Sequence, residues 1–204
     1  MNNLKTLILA GVLAIGPAAF ATHLVNFEDL NNNGTSGFTL YGPSVQSGGY
    51  QFDSIFPSGG GDELASWTAD IGGPYTGSVA LFANYSNDEV KMTQIGGGLF
   101  NVVSIDVADV FRNAGNSLTI LLEGTHADNS TTTVQFNMTD SSNLMTYAVG
   151  LSAVKSVRIY DGNDSNLGLN WFQFDNISTV PEPASMIALG VGALALLRRR
   201  RAAK

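Results

Sequence analysis

Between about residue 24 and residue 178, apolar side chains return at every second position, and no stretch sustains the three-to-four spacing of a helical stripe. Val103, Ile105 and Val107 alternate with Ser104 and Asp106. Leu118, Ile120 and Leu122 make another such face, and Val134, Phe136 and Met138 alternate with Gln135 and Asn137. Val157 with Ile159, and Phe172 with Phe174, continue the series. A period of two sends successive side chains to opposite sides of an extended backbone, so one side is buried and the other wetted. The pattern predicts strands over 24-28, 37-41, 49-55, 78-84, 88-95, 99-107, 117-123, 131-138, 144-150, 154-160 and 169-178. Turn-forming clusters separate them, among them Asn31-Asn32-Asn33-Gly34, Ser58-Gly59-Gly60-Gly61, Gly96-Gly97-Gly98 and Asp161-Gly162-Asn163. So many short strands without internal repetition predict an all-β domain over 22-179, a β-sandwich of the jelly-roll kind.

The two ends follow different rules. Met1 to Thr6 is polar with one cation, Lys5, and Leu7 to Gly16 is apolar up to Pro17. Ala19-Phe20-Ala21 then supplies the small-x-small pattern that signal peptidase accepts, so 1-21 reads as a helical signal peptide cut after Ala21. At the other end, Val180-Pro181-Glu182-Pro183 is expected to break the last strand, because proline cannot donate to a ladder. Ala184 to Leu197 is apolar and reads as a helix of roughly 21 Å at about 1.5 Å per residue, short of the ~30 Å hydrocarbon core. Arg198, Arg199, Arg200 and Arg201 follow at once, a cluster that resists translocation and whose long stems reach toward the interface. The body is therefore expected outside the membrane and the basic tail inside.

Pro181-Glu182-Pro183-Ala184-Ser185, the apolar helix and the arginine-rich terminus together resemble the PEP-CTERM sorting domain of Gram-negative bacteria, over 180-204. The resemblance implies recognition by exosortase, a transpeptidase-like membrane enzyme. It also implies transient residence in the inner membrane, delivery to the cell surface or matrix, and an association with exopolysaccharide and biofilm. Glu182 is then part of a recognition element and not a catalytic residue. A simple tail anchor is the alternative. Phe27-Glu28-Asp29, Gly98 to Asp106 and Phe174-Asp175-Asn176-Ile177 resemble, more loosely, jelly-roll ectodomains found joined to such tails.

Charge is segregated along the chain. The ectodomain, taken to Val180, holds four cations (Lys91, Arg112, Lys155 and Arg158) against sixteen carboxylates, a formal charge of −12. A surface like this repels a phosphate backbone, so nucleic acid is not an expected partner. Cysteine is absent, which excludes disulfides, thiolate catalysis and cysteine-ligated zinc.

Candidate chemistry is sparse. Of two histidines, His23 lies just past the signal cut, where poor order is expected, and His126 is expected at a hairpin tip between Glu123 and Asp128. Asp161 to Gly168 has spaced oxygen ligands but departs from the EF-hand pattern, with Asn166 where glycine is needed and Phe172 where the glutamate would stand. The jelly-roll resemblance implies a structural calcium where first and last strands meet, held by Glu28 or Asp29 with Asp175. Trp67, Tyr75, Tyr85 and Trp171 are candidates for stacking on sugar rings, against the alternative that they are core. The leading expectation is a non-enzymatic exported protein that binds polysaccharide. A passive structural or adhesive matrix component and a secreted hydrolase are the alternatives.

Overall fold

The computed structural model describes residues 22–30, 37–55, 63–67, 77–85, 89–110, 118–138, 143–162 and 172–182. Twelve strands occur among them: β1 (His23–Val25), β2 (Phe38–Gly42), β3 (Ser44–Ser47), β4 (Tyr50–Ile55), β5 (Leu64–Trp67), β6 (Ala80–Ala83), β7 (Glu89–Gln94), β8 (Phe100–Asp109), β9 (Leu118–His126), β10 (Thr131–Met138), β11 (Met145–Asp161) and β12 (Phe172–Pro181). All pairings are antiparallel. The expected signal helix and C-terminal apolar helix lie outside the described residues. Among the described residues no helix is long and apolar enough to cross a membrane.

β11 belongs to two sheets. Its first half, Met145 to Val154, pairs with β8 and closes one edge of a sheet ordered β2-β5-β6-β12-β8-β11. Its second half, Val154 to Asp161, runs between β7 and β9 in a sheet ordered β3-β4-β7-β11-β9-β10. The ladder slips on both sides of Leu151, where Gly150 (φ 69°) and Ala153 (φ 52°) take the left-handed conformation. Such bulges bend a strand and raise its twist, which carries β11 from one layer into the other. Gly124 of β9 sits where that passage is tightest: a Cβ there would lie 2.6 Å from Val154 Cγ1.

The two sheets close on one apolar interior. Phe52 of β4 meets Phe174 of β12 at 6.3 Å between ring centroids, and Phe27 wedges against both, at 5.0 and 5.7 Å. Tyr50 packs edge-on against Phe100 of β8, and its buried hydroxyl bonds Thr179 Oγ1 at 2.9 Å. Strands that are not ladder neighbours thus touch through their side chains, as in a β-sandwich. Edge-to-face rings of this kind add about 0.5–1.5 kcal/mol per pair beyond the area they bury.

Several expectations change in detail. The strands expected over 144-150 and 154-160 are one, because Gly150 and Ala153 make bulges and not a turn. β3 and β5 were not expected. β3 (Ser-Val-Gln-Ser) is a polar edge, and β5 buries its first three residues on both faces, so neither alternates. Val103 was expected inside with Ile105 and Val107, yet is 46% exposed, because the register slips between the pairs Ser178/Ser104 and Thr179/Val102, where Val103 is the extra residue on β8. Phe100 and Val102 on one side of the slip, and Ile105 and Val107 on the other, all face the core. The strand expected over 24-28 ends at Val25, because Phe27 turns into positive φ and Glu28–Leu30 form a 3₁₀ turn. His23 is held in β1 opposite Thr179, with its ring 6.2 Å from that of Tyr50. The last strand ends at Pro181, inside the Val180–Pro183 segment expected to break it. Pro181 itself still pairs in register with Phe100.

Candidate functional site

First and last strands lie together, β1 pairing Val25 with Ile177. The chain leaving β1 brings Glu28 to Ser78, whose Oγ stands 2.9 Å from Glu28 Oε1 and 2.5 Å from Asp175 Oδ2. The amide of Val79 also donates to Glu28 Oε1, at 3.1 Å. A serine hydroxyl has one proton, so it cannot donate to two ionised carboxylates at once. The contacts are satisfied together when Asp175 is protonated and donates to Ser78, which donates to Glu28. Asp175 is fully buried, and burial pushes its carboxyl up to about 7, against the Ser78 bond and with the charges of Glu28 and Asp106 adding to the rise. Its Oδ1 is buried without a hydrogen-bond partner. Asp29 points elsewhere: Ser47 Oγ and the Gly48 amide donate to it, at 2.6 and 3.2 Å, which ties it to the β3–β4 turn. Among the described residues no group of three or more His, Cys, Asp or Glu side chains could hold a metal.

The two described aromatic candidates, Trp67 and Tyr85, do not share one surface. Trp67 packs on the outer side of the first sheet against Phe38, at 5.2 Å, and joins Ala65, Phe82 and Val110 in a small apolar cluster of its own. Its indole Nε1 is buried without a partner. Tyr85 is 44% exposed past the far end of β6, since Trp67 pairs with Ala80 and Leu64 with Ala83. Tyr75 and Trp171 lie outside the described residues.

The outer side of the second sheet has the opposite character. One row crosses all six strands as Gln46, Gln51, Thr93, Ser156, Thr125 and Thr131. The next row reads Ser44, Asp53, Lys91, Arg158, Glu123 and Thr133. At about 4.8 Å per strand, five intervals make this polar surface roughly 24 Å wide. Arg158 anchors it: Nε and Nη2 donate to Glu89 at 2.7 and 2.6 Å, Nη1 donates to Glu123 at 2.9 Å, and the guanidinium lies 5.1 Å from the centre of the Tyr160 ring. On the outer strands Gln46 donates to Gln51 and Gln51 to Asp53, each at 2.9 Å. An open hollow of about 270 Å³ lies beside these rows, lined by Lys91, Thr93 and Gln94 of β7, Lys155 and Ser156 of β11, and Gly97 and Gly98.

Sequence reasoning missed this surface, because its members come from six strands whose pairing no single sequence discloses. One signal was available: three of the four ectodomain cations, Lys91, Lys155 and Arg158, are gathered here. His126 does stand at the end of the β9–β10 hairpin, bonded to Thr132 Oγ1 at 2.8 Å and to the Ala153 carbonyl at 3.2 Å, while Glu123 turns to Arg158.

At the C-terminal end of β12, Val180 and Pro181 lie opposite Asn101 and Phe100, and the Glu182 amide donates to the Leu99 carbonyl at 3.0 Å. Pro183, Arg198 to Arg201, and the signal residues Ala19 and Ala21 lie outside the described residues.

Several solved structures are similar to this chain at low identity. The CBM22-1–GH10 modules of Clostridium thermocellum endo-1,4-β-D-xylanase 10B, complexed with xylohexaose, are 12% identical at a TM-score of 0.40, over 80% of this chain and 28% of that one. A DUF4465 family protein from Bacteroides ovatus is 12% identical at 0.37, over 80% and 100%. The family 11 carbohydrate-binding module of C. thermocellum, in complex with a mixed-linked tetrasaccharide, is 12% identical at 0.33, over 80% and 97%. This chain thus spans little more than a quarter of the xylanase chain. No curated protein matches it. Residues 179–201 match the PEP-CTERM protein-sorting motif, so the last strand of the sandwich runs directly into a sorting signal.

Proposed function

We propose that this is an exported, non-enzymatic protein of the cell surface or extracellular matrix, sorted through its C-terminal motif, whose sandwich binds polysaccharide on the polar side of the second sheet. Export and sorting rest on the PEP-CTERM motif at 179–201. Signal peptidase would act after Ala21 and exosortase near Pro181-Glu182-Pro183, with the arginine cluster holding the tail at the inner membrane until then. The observation that carries polysaccharide binding is the pair of polar rows. Amides, hydroxyls and charged groups at strand spacing suit the hydroxyls of a sugar chain, and a rigid sheet presents them at little ordering cost. Glu28 and Asp175, with the Ser78 hydroxyl, would hold a structural calcium. These are hard oxygen donors, and the unpartnered Asp175 Oδ1 is an orphan that a cation would satisfy.

Calorimetric titration with the exopolysaccharide of the producing cell tests the reading. Saturable binding supports it, whereas no heat under any condition points to a passive matrix component. Release of reducing ends during prolonged incubation would overturn the non-enzymatic assignment.

A further inference from the structure

Polar side chains on the outer side of the second sheet are mostly paired with one another. Gln46, Gln51 and Asp53 form one chain of hydrogen bonds, and Arg158, Glu89 and Glu123 form another. The walls of the hollow beside them differ. Among the described residues, the side chains of Lys91, Thr93, Gln94 and Ser156 make no hydrogen bond or ion pair, and Lys155 has only the neutral Asn129 Oδ1. Lys91 stands directly opposite Arg158 on the neighbouring strand, a like-charge juxtaposition that costs stability. Asp53 stands opposite Lys91 on β4 and accepts from the neutral Gln51 amide without an ion pair to Lys91, and Glu123, one strand farther on, bonds Arg158. An ectodomain with sixteen carboxylates against four cations thus leaves two lysines facing one cavity without a carboxylate between them. Gly97 and Gly98, which also line it, both have positive φ, and a Cβ on Gly98 would lie 3.1 Å from Gln94 Oε1.

We infer that this hollow is a subsite for an anionic substituent of the polysaccharide, the carboxylate of a uronic acid being the chemistry that fits. The inference rests on the proposed binding surface and specifies its ligand. Two ammonium groups supply charge-assisted bonds to the carboxylate, and the Thr93 and Ser156 hydroxyls and the Gln94 amide reach the ring hydroxyls around it. A volume just under the roughly 300–1,000 Å³ of small-molecule pockets holds one sugar residue, with its neighbours running out along the polar rows.

The test compares oligogalacturonate with its fully methyl-esterified form, titrated calorimetrically into the full chain purified in detergent. The two ligands differ only in the esterification that removes the charge. The acid is expected to bind at least about tenfold tighter, and Lys91→Gln with Lys155→Gln should abolish that preference, since bonds to charged groups are worth about this much each. A urea midpoint no lower than that of the wild type shows that the double variant is folded. Equal binding of acid and ester, or a preference that survives in the double variant, overturns the anionic subsite and leaves the polysaccharide reading standing. Failure of both forms and of the cell's own exopolysaccharide to bind overturns that reading, and this inference with it.

Discussion

Replacing Asp175 by asparagine tests the buried carboxyl with the least change of shape. In the wild-type chain a proton is bound by the fold between the ordinary value of 3.8 and the raised value of about 7, where the unfolded chain has released it. The native state then holds more protons than the unfolded state, so stability falls as pH rises through this window. The contribution is fully present below 3.8 and gone above 7. Its size is roughly 4 kcal/mol, at about 1.4 kcal/mol for each tenfold in the proton equilibrium. An asparagine side chain at this position would need no proton, and its amide would donate to Ser78 at any pH. In chelator, urea denaturation should show the wild type losing stability between about pH 5 and pH 8 and Asp175→Asn losing markedly less, so the variant is the more stable protein at the upper end. Calcium then provides the second arm. At about pH 8 the wild type should regain stability, by about 2.7 kcal/mol at a hundredfold excess over Kd, and the variant should not. Magnesium controls for general screening of an acidic surface. A wild type that gains stability across that range in chelator, or a variant that is the weaker at its upper end, would refute the proton argument. Equal midpoints in calcium and chelator would remove the cation and leave the proton argument intact.

Gly124→Ala should cost about 1–3 kcal/mol, read from urea midpoints, because its Cβ would meet Val154 Cγ1 at 2.6 Å in a layer that cannot yield without moving β11. An unchanged midpoint would mean that the crossover of β11 is looser than its packing implies. Intact-mass measurement of the surface-localised protein should find everything beyond the Pro-Glu-Pro region missing, and the full tail retained in cells lacking the sorting enzyme. Residues 184-204 persisting on the surface protein would make the tail a permanent anchor.

The strands that alternate cleanly were legible in the sequence because each has one buried and one wet side. β4, β9 and the second half of β11 are of this kind, and their inward residues (Phe52, Ile120, Leu122, Val157 and Ile159) are core. β5 was invisible for the opposite reason: Leu64 faces the main core and Ala65 the small outer cluster, so its apolar residues are consecutive. Gly150 has the same chemistry in a bulge as in a turn, and only the pairing of β11 with both β8 and β9 distinguishes them. The jelly-roll resemblance implied that Glu28 or Asp29 would meet Asp175, and it is Glu28 that does. The role of Ser78 between them was not implied, because a serine between Gly77 and Val79 carries no mark of its partner 97 residues away.

β12 ties these features to export. Within ten residues it supplies Phe174 and Ile177 to the core, Asp175 to the carboxylate cluster, Thr179 to the bond with Tyr50, and Pro181 to the ladder with β8. The sorting motif begins at residue 179, inside that strand, so the part of the signal that is read and the part of the fold that is needed overlap by three residues. Scission before Thr179 would remove the Tyr50 partner and the pairing of His23 with β12, which would unzip the first strand along with the last. Scission beyond Glu182 removes nothing that the described fold uses, since the Glu182 amide is the last group bonded to it. If the tail is removed, a cut on the far side of Glu182 is therefore the one expected to leave the sandwich intact. The hydrogen bond from Glu182 to Leu99 is the last that the described fold makes before the tail.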